Sequence, residues 1–164
     1  MLKLKSVSGR LKELLLGRER PAAREIEEAA SRTLLVVDDE ESICFSMSEY
    51  FSQHGFKVDT AREREEAEGL IRETEYKVII QDLRLGRGRN PEGIEIIKMV
   101  HQQNPDTRIV VLTSYGSPEA EEAARSAGAD AFLHKPKPLS QVAQIVQGLM
   151  ESPRTRTPAK LVSL

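Results

Sequence analysis

Residues 33–150 predict an α/β fold, a single five-stranded parallel sheet with helices on both faces, and three observations carry that prediction. Short apolar runs recur along the chain, LLVV at 34–37, KVII at 77–80, IVVL at 109–112 and AFL at 131–133. Amphipathic helical stretches separate them, and strands alternating with helices pair in parallel. Asp38, Asp39, Asp82, Thr113 and Lys135 stand at or just beyond the ends of these runs. Open parallel sheets gather their functional groups at the carboxyl ends of the strands, so all five are expected in one crevice.

The elements follow in order. Residues 33–37 read as the first strand, and 41–53 as a helix with Ile43, Met47, Tyr50 and Phe51 on its apolar stripe and Gly55 as its stop. The run at 57–60 is short and polar, which suits an edge strand. A second helix over 64–73 turns Ala67, Leu70 and Ile71 inward, and the third strand ends at Asp82. The third helix is expected from Pro91 or Glu92, burying Ile94, Ile97 and Val100 and ending before Pro105. A strand at 108–112 follows. Ser117 before Pro118 is an N-cap and first-turn pair for a fourth helix reaching about Ser126, ahead of Gly128. A strand at 130–133 and a helix at 140–150, buried through Val142, Ile145, Val146 and Leu149, complete the repeat.

Two segments flank this unit. Residues 1–32 hold Leu11, Leu14 and Leu15 at helical spacing, then Pro21 and a second stretch with Ile26, Ala29 and Ala30. Each is a marginal helix that needs a surface to dock on, and the readings are docking on the domain or another subunit, a loose extension, or a membrane-surface anchor. The last has too few bulky apolar residues. Residues 151–164, with two prolines and no periodicity, are expected to be mobile.

Charge narrows the function. The formal net charge of -2 divides into +3 over residues 1–32, -7 over 33–150 and +2 over 151–164, so the cored part is a poor nucleic-acid surface. Cys44 is the sole cysteine, which excludes an internal disulfide and a cysteine zinc site, and it is expected as a buried small hydrophobe. Neither a long apolar span nor a signal-peptide core is present, and a cytoplasmic protein without membrane contact is the expectation.

Three carboxylates brought within a few ångströms need a cation between them. An all-oxygen set with room for water suits Mg²⁺, and a backbone carbonyl in the turn after Asp82, at Arg84, is a candidate further ligand. Taken alone, the DDE at 38–40 reads equally well as capping for the following helix. Lys135 and the hydroxyls of Thr113 and Ser114 face the acids across the same crevice, which favours a phosphoryl site over simple capping.

The motifs VVDDEESI at 36–43, IIQDLRLG at 79–86, VVLTSYGS at 110–117 and FLHKPKPL at 132–139 closely resemble the receiver domain of two-component response regulators. The resemblance implies a flavodoxin-like (βα)5 fold in which Asp82 is the phosphoacceptor, Asp39 a direct Mg²⁺ ligand and Asp38 a ligand partly through water. Lys135 would contact the phosphoryl group, Thr113 would shift to hydrogen-bond it, and Phe132 would swing inward as Thr113 moves. Pro136 would follow a cis peptide bond that fixes the loop aiming Lys135. The implied donor is a histidine kinase or histidine phosphotransfer protein. Output would pass to an effector protein, or to a homodimer, through the face of the fourth helix, fifth strand and fifth helix. The implied chemistry is Mg²⁺-dependent autophosphorylation with slow self-dephosphorylation, and not that of a metabolic enzyme.

Two features depart from the family pattern. The stretch LRLGRGRNPEG replaces the familiar short turn after the phosphoacceptor, where Gly86 and Gly88 let the loop fold close to the site or stay mobile. It reads equally as a solvated insertion or as a loop whose Arg84, Arg87 and Arg89 recognise a partner's acids or alter access for phosphoryl donors and water. Fourteen residues follow Met150, too few for a DNA-binding or cyclase domain, so output by protein contact or a phosphorelay step is expected unless the chain is cut from a longer one. A phosphorylation-independent scaffold and an aspartyl-nucleophile phosphatase are the rival readings. The absence of a glycine-rich loop after the first strand weighs against a nucleotide-binding fold.

Overall fold

The computed structural model describes residues 32–86, 88 and 91–154, so the reading of residues 1–31 as docked or loose helices lies outside the described residues. Five strands, β1 (Thr33–Val37), β2 (Lys57–Ala61), β3 (Val78–Gln81), β4 (Arg108–Thr113) and β5 (Ala131–His134), form one parallel sheet in the order β2-β1-β3-β4-β5. The helices are α1 (Glu41–Gln53), α2 (Arg64–Glu73), α3 (Glu92–Gln103), α4 (Pro118–Ala127) and α5 (Leu139–Glu151). The polar strand β2 lies at an edge, as its composition predicts, and runs one residue further than the pattern implied.

The period of two along each strand divides the apolar residues between two cores. Leu35, Val37, Ile79, Ile109 and Val111 face α2, α3 and α4, meeting Ala67, Ile94, Ile97, Val100 and Ala124. Leu34, Val36, Val78, Ile80, Val110 and Leu112 face α1 and α5, meeting Met47, Phe51, Val142 and Val146. Cys44 joins the second core, where its thiol donates to the Asp38 carbonyl at 3.2 Å and burial pushes its pKa up. Burying a side chain of the size of Phe51 or Ile97 stabilises the fold by roughly 1.5–3 kcal/mol.

The predicted punctuation is present. Gly55, at φ 84°, closes α1 with its N–H on Ser52 and the Phe56 N–H on Phe51, a pattern that favours glycine at the left-handed position. Ser117 Oγ accepts the Ala120 N–H at 3.1 Å and caps α4. Helix α3 buries Ile96 as well as the three residues its stripe predicts, because α2, the sheet and α4 enclose it on a wide arc. At Gly93 a Cβ would run into the Asp82 carbonyl oxygen, so the amino end of α3 rests directly on the backbone after β3. Among the described residues no helix is long and apolar enough to cross a membrane.

Candidate functional site

The order reverses at β1, whose neighbours lead off in opposite directions, and the crevice beyond the carboxyl ends of β1 and β3 is where this topology places ligands. Main-chain bonds lock the strand ends that carry the site. The Asp38 N–H donates to Ala61, the Asp82 N–H to Val37 at 2.9 Å, and the Lys135 N–H to Thr113 at 2.9 Å. Asp38, Asp39, Asp82, Thr113 and Lys135 therefore converge, as their strand-end positions imply.

Asp38, Asp39 and Asp82 each offer a carboxylate oxygen, all within 4.8 Å of one another. Lys135 Nζ lies 2.6 Å from Asp38 Oδ2, 3.0 Å from Asp82 Oδ2 and 3.7 Å from Glu40 Oε1. The other oxygen of Asp82, Oδ1, accepts the Thr113 hydroxyl at 2.7 Å and the Arg84 N–H at 3.3 Å. Thr113 Oγ1 in turn accepts the Tyr115 N–H at 3.1 Å. Gln81, fully buried, donates its amide to the Asp82 carbonyl at 2.6 Å.

The acids are not helix caps. Residue Glu40 occupies the N-cap of α1 with no side-chain capping bond, and Asp38 Oδ1 accepts the Glu40 N–H at 2.9 Å ahead of the helix. Burial pushes the Asp38 carboxyl above the ordinary carboxylate range, outweighing the pull of Lys135 and the Glu40 N–H. Burial also works against the charge on Lys135, but its hydrogen bonds to Asp38 and Asp82 prevail and push it up to about 12. One ammonium thus serves three carboxylates. That surplus of negative charge, with only oxygen donors, fits a hard divalent cation such as Mg²⁺.

The remaining predicted residues fall around this centre. Arg84 lies beside Asp82, its guanidinium 3.4 Å from the centre of the Tyr115 ring. The Lys135–Pro136 peptide is cis. Phe132 is 9% exposed, packed in the α2–α3–α4 core and edge-on to His134 at 5.4 Å. Arg87 and Arg89 lie outside the described residues. Sequence reasoning gave no part to Arg62, whose Nε and Nη2 donate to the Asp39 carbonyl at 3.3 Å, or to a Gly86 N–H bond to Asp39 Oδ2 at 3.1 Å. Neither has a sequence signal beyond a glycine in the loop and an arginine after an edge strand.

The profile of the response regulator receiver domain family matches residues 34–147, and the chain belongs to that family. It is similar to the photosynthetic apparatus regulatory protein RegA of Cereibacter sphaeroides, at 32% identity over 126 residues, covering 77% of this chain and 67% of that one. The response regulator protein PilR of Pseudomonas aeruginosa is 30% identical over 112 residues, which are 68% of this chain and 24% of that protein. A second RegA, from Rhodobacter capsulatus, is covered over 58% of its length, so the chain spans between about a quarter and two thirds of these relatives. Among solved structures, a response regulator from Burkholderia pseudomallei with a phosphorylated aspartic acid, calcium ion and citrate superposes with a TM-score of 0.67. It is 29% identical, covering 73% of this chain and 68% of that chain. The protein is a phosphoacceptor receiver of the response-regulator class.

Proposed function

We propose that Asp82 is the phosphoacceptor and that its carboxylate receives a phosphoryl group from the phosphohistidine of a histidine kinase or histidine phosphotransfer protein. The observation that carries this reading is the pair of restraints on Asp82, with Thr113 on one oxygen and Lys135 on the other, beside two further acids. A carboxylate oxygen attacks phosphorus, the P–N bond to the imidazole breaks as the P–O bond forms, and the departing nitrogen keeps the electron pair. Lys135, held in its charged form, offsets negative charge on the phosphoryl oxygens. A Mg²⁺ ion held by Asp39, Asp82 and the Arg84 carbonyl, with Asp38 acting partly through water, would supply further neutralisation of those oxygens. Attack of water on the acyl phosphate then releases phosphate and restores Asp82.

Thr113 is the residue whose hydroxyl must change partner when Asp82 is modified, since it already donates to the oxygen concerned. Its shift, with Phe132 beneath it, would bias the face of α4, β5 and α5 between two states that an effector protein or a second copy distinguishes. Residues 33–150 would do this in the cytoplasm, with residues 1–32 serving a partner or dimer surface and neither nucleic acid nor membrane touched directly. The expectation of a mobile tail over 151–164 is corrected at its start, where Glu151 closes α5 and Arg154 bonds Asp130 and the Gly128 carbonyl.

Beryllofluoride with Mg²⁺ tests the reading by amide resonances. Thr113, Lys135 and Phe132 should shift in the wild type and stay in place in Asp82→Asn. Resonances unmoved in the wild type would favour a phosphorylation-independent scaffold.

A further inference from the structure

The loop after Asp82 crosses the site as a short strap. Arg84 stacks on Tyr115 from the β4–α4 loop, Leu85 is 6% exposed in the core, and Gly86 turns at φ 73° so that its N–H meets Asp39 Oδ2 at 3.1 Å. The two bonding partners, Asp39 and Gly86, are 47 residues apart in sequence. Arg62 holds the Asp39 carbonyl from the end of β2, so Asp39 is tethered at both its main chain and its side chain. Lys135, which bonds Asp38 and Asp82, makes no ion pair with Asp39. Of the three acids, Asp39 is thus oriented by the strap and not by the site's own cation.

We propose that Gly86 is a positioning residue for the divalent cation, acting through Asp39. An N–H bond to one oxygen of a carboxylate fixes the plane of the group and directs the other lone pairs, and such supporting contacts govern metal affinity as ligands do. The bond requires a residue that has an N–H and tolerates a positive φ, and glycine meets both conditions without strain. The glycines of this loop therefore differ in role. A Cβ at Gly86 or Gly88 meets nothing within 4 Å, so neither is a glycine for lack of space, but only Gly86 has the left-handed φ and the bond to Asp39.

This inference rests on the proposed role of Asp39 as a ligand, and the test separates the two. Calorimetric titration with Mg²⁺ alone is run on the wild type, Asp39→Asn, Gly86→Pro and Gly88→Ala. Gly86→Pro should bind about tenfold more weakly, and Gly88→Ala as the wild type does. Independently of any metal, the Gly86 amide should exchange about tenfold faster in Asp39→Ala than in the wild type, the effect of losing one hydrogen bond. Wild-type affinity in Gly86→Pro alongside a loss in Asp39→Asn would overturn the positioning role and leave the ligand role standing. Equal affinity in the wild type and Asp39→Asn would overturn both. An unchanged Gly86 exchange rate in Asp39→Ala would overturn the inference even if Gly86→Pro failed to fold.

Discussion

The two ends of the sheet handle buried charge in opposite ways. At the amino end, the single carboxylate of Asp130 is shared by two guanidiniums, Arg108 Nη1 at 3.3 Å and Arg154 Nη2 at 3.1 Å, and also accepts the Ile109 N–H at 2.8 Å. At the carboxyl end, three carboxylates cluster within 4.8 Å and the one ammonium of Lys135 pairs with two of them, Asp38 and Asp82. The first cluster has more cation than it needs, and its partners tie the start of β4 and β5 to the chain leaving α5. The second is short of positive charge. In the first, main-chain carbonyls of Ser152 and Gly128 take further guanidinium donors, whereas the second is left with a surplus of negative charge that suits an incoming cation.

Truncations at the two ends should therefore be similar in size but differ in cause and in their response to Mg²⁺. Asp130→Ala strands two largely buried arginines and should destabilise the protein by about 3 kcal/mol in urea unfolding, with or without Mg²⁺. Lys135→Met leaves three acids without a cation and should cost a similar amount, about 3 kcal/mol, but Mg²⁺ should recover part of it. A loss in Lys135→Met that Mg²⁺ does not touch would erase the distinction between the ends. The same lysine carries a pH signature. Its folded-state pKa is raised from 10.5 to about 12, so its contribution is complete below pH 10.5 and fades as pH rises through about 12.

Asp38→Asn should move stability the other way. Because burial raises the Asp38 pKa above the ordinary carboxylate value of 3.8, the ionised carboxylate opposes folding at neutral pH, and that cost is relieved as pH falls through the raised value toward 3.8. The neutral amide should raise stability in metal-free buffer and flatten the pH profile in that window. A destabilised Asp38→Asn would mean that the Lys135 bond outweighs burial. The smallest effect concerns the ion. Mg²⁺ at about five times its dissociation constant should stabilise the wild type by roughly 1 kcal/mol and leave Asp39→Asn unchanged.

What the sequence makes legible divides along the same line. The carboxyl-end site was legible because it is written as side chains at fixed places after strands: Asp38 and Asp39 after β1, Asp82 after β3, Thr113 ending β4 and Lys135 after β5. Strand periodicity alone brings those together. The Asp130 cluster was not legible, since Arg108 looks like any strand-initiating residue and Arg154 falls in a segment that reads as a tail, yet its guanidinium bonds both Asp130 and the Gly128 carbonyl. The Arg84–Tyr115 stack and the Gly86 bond escaped for another reason. They depend on the path of an irregular loop, which neither period nor propensity determines.

The central claim is that the crevice exists to phosphorylate Asp82, and intact-mass measurement tests it most directly. After incubation with a small phosphodonor and Mg²⁺, the wild type should gain the mass of one phosphoryl group, labile to hydroxylamine, and Asp82→Asn should gain none. A wild-type protein that gains nothing, or an Asp82→Asn protein modified to the same extent, would contradict it.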